Sequence, residues 1–128
     1  MKSVQPALFA IVDDDESVRD AVGSLFRSMG FQAEPFAGGQ EFLGSPKLRA
    51  FRCLILDVQM PGMDGLELQQ RLAAASFPIP IIFITAYNDE NARSRALRGG
   101  AVSFLTKPFS EDALLGAVQS AIEVEVLN

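Results

Sequence analysis

The chain has 128 residues, with 11 basic and 16 acidic side chains and a formal charge of −5. That length suits one domain, and 48% apolar with 21% charged residues marks a folded chain rather than a disordered one. One cysteine, Cys53, and no histidine exclude an internal disulfide, a cysteine-based zinc site, histidine-ligated metals, Ser-His-Asp and Cys-His catalysis and a phosphohistidine on this chain, while the acidic balance argues against direct nucleic-acid binding.

The start, MKSVQPALFAIVDDDE, has one lysine and a short apolar run that ends in acids. It lacks the basic start, longer apolar stretch and small-residue cleavage site of a signal peptide. No apolar run approaches the roughly 20 residues of a membrane span. A soluble, cytoplasmic protein with no membrane contact is expected.

Residues 8–12 are apolar on consecutive positions, as in a parallel strand covered on both faces. Val18, Val22, Leu25, Phe26 and Met29 then fall at helical spacing, with Asp15 as cap and Gly30 as stop. Residues 31–36 form a weaker second strand, and residues 40–48 carry no clear signal. Residues 53–56 read as the third strand, and a helix follows from Asp64, whose Glu67 resembles a capping-box partner. Residues 81–84 read as the fourth strand. Residues 88–98 carry only Ala92, Ala96 and Leu97 as apolar positions, the pattern of a marginal, mobile helix. Residues 102–105 form the fifth strand. Ser110 caps a last helix built on Leu114, Leu115, Val118, Ile122 and Val126, with Glu111 and Asp112 in its first turn. Five βα units in series predict one α/β domain over residues 1–128, a parallel sheet with right-handed crossovers and helices on both faces.

In such a fold the ligand site lies beyond the carboxyl ends of the strands. Asp13, Asp14 and Asp15 follow the first strand, Asp57 the third, Thr85 the fourth and Lys107 the fifth. Clustered carboxylates must take up protons or be neutralised by a cation. With oxygen ligands only, the cation is a hard one, Mg²⁺ or Mn²⁺. Lys107 and Thr85 suit a phosphate, and Asp57 is placed as a nucleophile toward phosphorus. Taken singly, each residue has an ordinary reading: Asp15 a cap, Thr85 a strand end, Lys107 a surface lysine, Phe104 and Cys53 core. Arg93, Arg95 and Arg98 read as a solvated face, and Gly62 and Gly65 as turn chemistry around Pro61.

The segments IVDDDESVRD, LILDVQMPGMDGLEL, IIFITAYND and AVSFLTKPF together resemble a response-regulator receiver domain, most closely of the FixJ and NarL type. The resemblance spans nearly the whole chain, with 43 residues from Asp14 to Asp57, 28 from Asp57 to Thr85 and 22 from Thr85 to Lys107. It implies a doubly wound, flavodoxin-like sheet of five parallel strands in the order 2-1-3-4-5 with five helices. It implies that Asp57 accepts a phosphoryl group and that Asp13, Asp14, Asp57 and the backbone carbonyl of Gln59 hold Mg²⁺ (or Mn²⁺). Thr85 and Lys107 contact the phosphoryl group, a cis peptide joins Lys107 to Pro108, and Phe104 occupies the aromatic switch position with Thr85 as its partner. Where many members carry Tyr, Phe104 has no hydroxyl to report the switch. Gln59 and Tyr87 would tune the phosphoryl lifetime, and the sequence leaves open whether Tyr87 shields the group or Gln59 orients an attacking water.

The partners implied are a sensor histidine kinase and a second copy of the chain, recruited on phosphorylation through the face of the fourth helix, fifth strand and fifth helix. The chain would then be the N-terminal part of a longer regulator with a transcriptional output, and not an enzyme, although it would assist its own phosphorylation and dephosphorylation. A haloacid-dehalogenase-like phosphatase would need a second aspartate where Gln59 stands. A flavodoxin-like binder would need a glycine- and hydroxyl-rich loop where three aspartates stand. A receiver that serves only as a docking module would not need the full set of acceptor-site residues.

Overall fold

A computed structural model describes residues 7–86 and 89–127. The elements are β1 (Leu8–Val12), α1 (Glu16–Ser28), β2 (Gln32–Phe36), α2 (Gly39–Leu43), a 3₁₀ turn (Leu48–Ala50), β3 (Cys53–Asp57), α3 (Gly65–Ala74), β4 (Ile81–Thr85), α4 (Glu90–Arg98), β5 (Ser103–Thr106) and α5 (Glu111–Leu127). The five strands form one sheet in the order β2-β1-β3-β4-β5, every neighbouring pair parallel. This is the α/β architecture expected from the alternation of apolar runs and helical patterns. Pro35, which offers no amide donor, lies in β2 at the sheet edge, where one side of the strand has no partner to serve.

Alternation along the strands divides the core into two layers. Ala10, Val12, Leu54, Leu56, Ile81 and Phe83 face α2, α3 and α4. Phe9, Ile11, Cys53, Ile55, Ile82 and Ile84 face α1 and α5. Residues 9–12, 53–56 and 82–84 have no measurable exposure, so both layers are closed. Phe9 stacks on Phe26 of α1 and on Phe31, with ring centroids 4.9 and 5.0 Å away. Phe9 and Phe26 are fully buried, and each such ring stabilises the fold by about 1.5–3 kcal/mol.

Three helices end in the same way, and each ending aims the chain into the next strand. The N–H of Gly30 bonds Arg27 O and that of Phe31 bonds Phe26 O, with Gly30 at φ 87°. Gly100 at φ 101° and Ala101 repeat this over Leu97 and Ala96, and Ser76 at φ 54° and Phe77 repeat it over Ala73 and Leu72. The caps read in the sequence at Asp15, Asp64 and Ser110 are present, and Asp89, not read as one, caps α4. The carboxylates of Asp15, Asp64 and Asp89 accept the N–H groups of Ser17, Glu67 and Asn91, and the Ser110 hydroxyl accepts that of Ala113.

Several boundaries differ from those read in the sequence. Asp57 and Thr85 are the last residues of their strands rather than the residues beyond them. β5 is shifted by one residue from the expected 102–105. The unassigned stretch 40–48 contains most of the one-turn α2 and the first residue of the 3₁₀ turn. α4 begins at Glu90 rather than 88, and Asn88 lies outside the described residues. Its buried contribution is confined to Ala92 and Ala96, as its sparse apolar pattern implies.

Candidate functional site

Parallel strands all point their carboxyl ends one way, so the polar residue that ends or follows each apolar run arrives at one edge of the sheet. Asp13 follows β1 and is fully buried; Asp57 ends β3 with 5% of its surface exposed; Thr85 ends β4 and is buried. Asp14 is exposed, and Lys107, just after β5, is half-buried. Asp13, Asp14 and Asp57 each present a carboxylate oxygen, all within 4.8 Å of one another. At that separation and an effective dielectric of about 20, two carboxylates repel by about 3 kcal/mol.

The cluster is held by its surroundings. Lys107 Nζ donates to Asp13 Oδ2 at 3.1 Å, the Asp15 N–H donates to Asp13 Oδ1 at 2.9 Å, and Arg19 Nη1 donates to the Asp13 main-chain carbonyl at 2.7 Å. The Lys107–Pro108 peptide is cis, and the Lys107 N–H bonds Thr85 O at 2.6 Å, tying the β5–α5 loop to the end of β4. Burial, reinforced by the charge of Asp13, raises the Asp57 carboxyl to about 7. Lys107 and a hydrogen bond from the Gln59 backbone hold it down, and Asp14 pushes it up further. The three converging carboxylates form a donor set made wholly of oxygen, which fits a hard divalent cation, and the Lys107 ammonium beside them fits a phosphoryl oxygen.

Of the other expected residues, Gln59 and Phe104 are described. Gln59, exposed, reaches Asp57 through its backbone hydrogen bond. Phe104 is buried against Phe83, ring centroids 6.1 Å apart, and its carbonyl accepts Arg93 Nη1 at 3.3 Å. Arg93 is therefore not simply a solvated residue: it joins α4 to β5. Tyr87 lies outside the described residues.

Three residues with structural roles, two of them at the site, were not singled out by sequence reasoning, or were read differently. Gly65, taken as turn chemistry, is excluded from carrying a side chain because a Cβ there would run into the Asp57 main-chain carbonyl and press on Phe83. Gln69, buried in α3, donates to Ala96 O at 2.9 Å and so secures the end of α4. Arg19 grips Asp13 from α1. Gly65 had a signal, a glycine opening a capped helix, but Gln69 and Arg19 look like ordinary polar positions on amphipathic helices.

The family model described as "Response regulator receiver domain" matches residues 9–119. The chain is 43% identical over 120 residues to "Response regulator protein TmoT" of Ectopseudomonas mendocina, covering 94% of this chain and 54% of that protein. It is 40% identical over 112 residues to "Transcriptional regulatory protein FixJ" of Bradyrhizobium diazoefficiens, covering 88% of this chain and 55% of that one. The chain thus spans about half the length of these curated relatives. Among solved structures it is similar to FixJ-N, with a TM-score of 0.84 and 33% identity over 94% of this chain and 96% of that one. It is also similar to response regulator StyR, with a TM-score of 0.86 and 44% identity over 94% and 61%.

Proposed function

The chain belongs to the response-regulator receiver family, and from that premise we propose that it is a phosphorylation-operated signalling switch whose acceptor is Asp57. The convergence of three carboxylates and Lys107 on one sheet edge carries this reading. An Asp57 carboxylate oxygen attacks the phosphorus of a phosphohistidine on a partner sensor kinase, or of a small acyl phosphate. The new P–O bond forms as the P–N or P–O bond of the donor breaks, and the donor leaves with its electron pair.

Attack requires the ionised carboxylate, and the Asp57 carboxyl is raised to about 7. Asp13, Asp14, Asp57 and the Gln59 backbone carbonyl would hold Mg²⁺ (or Mn²⁺), which when bound offsets the carboxylate charge and stabilises charge on the transferring group. Lys107, already at the pocket, supplies its ammonium to a phosphoryl oxygen. Thr85 donates its hydroxyl to another, and Phe104 moves into the space that Thr85 vacates, a local electrostatic event read out by a two-state element. Gln59 and Tyr87, two residues after Asp57 and Thr85 in the sequence, are the residues assigned to tuning the lifetime of the acyl phosphate. The domain assists its own phosphorylation and hydrolysis but turns over no separate substrate, so we class it as a switch and not an enzyme.

The face of α4, β5 and α5 is then the output surface, and phosphorylation favours a homodimer through it. The curated relatives named as transcriptional regulators support a transcriptional output domain in the full protein, at work in the cytoplasm. This chain, with its net charge of −5, does not bind nucleic acid itself. The reading is tested by intact mass after incubation with acetyl phosphate. One phosphoryl group is expected on the native chain with Mg²⁺, and none without Mg²⁺ or on Asp57→Asn; equal incorporation in Asp57→Asn would overturn it. Analytical ultracentrifugation with and without beryllofluoride tests the dimer, and an unchanged mass would sink that part.

A further inference from the structure

Arg19 lies on the second turn of α1, and its guanidinium donates to the main-chain carbonyl of Asp13 at 2.7 Å. β1 ends at Val12, and the helical ladder of α1 begins with Asp15 O, which accepts the Arg19 N–H at 3.1 Å. The Asp13 carbonyl thus falls in the gap between sheet and helix, where a buried acceptor needs a donor from elsewhere. The other polar groups of Asp13 are taken as well. Its N–H bonds Phe36 O at 3.1 Å, Oδ1 accepts the Asp15 N–H and Oδ2 accepts Lys107. The carbonyl that Arg19 holds belongs to the peptide unit whose nitrogen is that of Asp14. The orientation of that plane sets where the Asp14 side chain leaves the backbone, and Asp14, itself exposed, is one of the three clustered carboxylates.

We propose that Arg19 is a positioning residue for the cation site: by fixing the Asp13–Asp14 peptide it holds Asp14 toward Asp57 before a divalent cation arrives. This rests on the functional reading above and adds a residue to it. The sign of the effect separates positioning from charge. A guanidinium beside three carboxylates repels a divalent cation, so an influence through charge alone would let Mg²⁺ bind more tightly once Arg19 is removed. Loss of an outer-shell anchor does the reverse, typically weakening metal affinity 10- to 100-fold.

The test is a calorimetric Mg²⁺ titration of the native chain, Arg19→Met, Arg19→Gln, Arg19→Lys and Arg27→Met, with hydrogen exchange of the Asp14 amide measured without metal. Arg19→Met keeps the apolar stem and loses the donor. It should weaken Mg²⁺ binding about tenfold and speed exchange at Asp14, and Arg19→Lys should restore most of both. Arg27→Met, which removes the same charge from an exposed position on α1, should match the native chain. Mg²⁺ affinity in Arg19→Met equal to or above native overturns the proposal. If that variant fails to fold, Arg19→Gln decides on the same criterion. A native chain that takes up no Mg²⁺ would instead overturn the functional reading on which the proposal stands.

Discussion

Lys107 Nζ lies 3.1 Å from Asp13 Oδ2, so the loop after β5 is tied to the loop after β1 across the ends of the two strands between them. The pair is unequal: the Asp13 side chain is fully buried, whereas that of Lys107 keeps 22% of its exposure. Lys107 has two tasks in the unphosphorylated protein, compensating Asp13 and holding down the Asp57 carboxyl.

Replacing Lys107 separates these tasks from its role toward the phosphoryl group. In Lys107→Met the buried Asp13 loses its counter-charge. Breaking a fully buried pair costs about 3–5 kcal/mol, and the partial exposure of Lys107 lowers the expected cost to about 1–2 kcal/mol in urea unfolding without Mg²⁺. Phosphorylation by acetyl phosphate should slow about 100-fold, the scale for removing one donor to developing charge. A native rate in this variant would remove Lys107 from the mechanism.

The raised Asp57 carboxyl makes the metal-free protein less stable as pH rises. An unfolded aspartate titrates near 3.8, whereas the native group titrates at about 7. Between these values the native state holds the extra proton, so the contribution of Asp57 to stability is fully present below about pH 4, declines as pH rises and is lost above about pH 7. Asp57→Asn should therefore unfold at a higher temperature than the native chain at pH 8 without Mg²⁺, with the gap closing toward pH 4. A gap that widens on acidification would contradict the burial argument.

Gly65 and Gly62 test two different reasons for a glycine. A Cβ at Gly65 meets the Asp57 main-chain carbonyl and Phe83, whereas one at Gly62 meets nothing within 4 Å but sits at φ 76°. Gly65→Ala should cost at least about 2 kcal/mol and depress phosphorylation, because the residue that must yield is the acceptor's own peptide. Gly62→Ala should cost about 1–2 kcal/mol from backbone strain and leave phosphorylation unchanged. Identical urea midpoints for Gly65→Ala and the native chain would refute the steric account.

Ser76 ends α3 in the left-handed region, where the equivalent positions after α1 and α4 carry glycine. Ser76→Gly should raise stability by about 1 kcal/mol and leave phosphoryl uptake as it is. A lower thermal midpoint would mean that the serine side chain contributes more than its backbone strain costs.

The central strands were legible because parallel strands closed on both faces are apolar at every position, which leaves their polar ends conspicuous. Asp13, Asp57, Thr85 and Lys107 could be placed on one edge from topology alone. The limits of the reading have physical causes. Polarity ended the apolar runs at Leu56 and Ile84, although the backbone pairing continues through Asp57 and Thr85. Half-exposed β5 gave a weaker pattern than the buried strands, and its bounds differ by one residue from those read in the sequence. One-turn α2 is too short for a helical period to show. Arg19 and Gln69 escaped because an amphipathic pattern counts polar residues as outward, while these two reach carbonyls outside their own helices. Arg93 was read as solvated for the same reason.

The most direct test of the account is to locate the phosphoryl group chemically. The chain is phosphorylated with acetyl phosphate and Mg²⁺, reduced with borohydride, which converts an aspartyl phosphate to homoserine, and mapped by peptide sequencing. Homoserine at position 57 alone is the predicted result. Homoserine at position 13 or 14, or a phosphate that survives reduction on a serine or threonine, would contradict Asp57 as the acceptor.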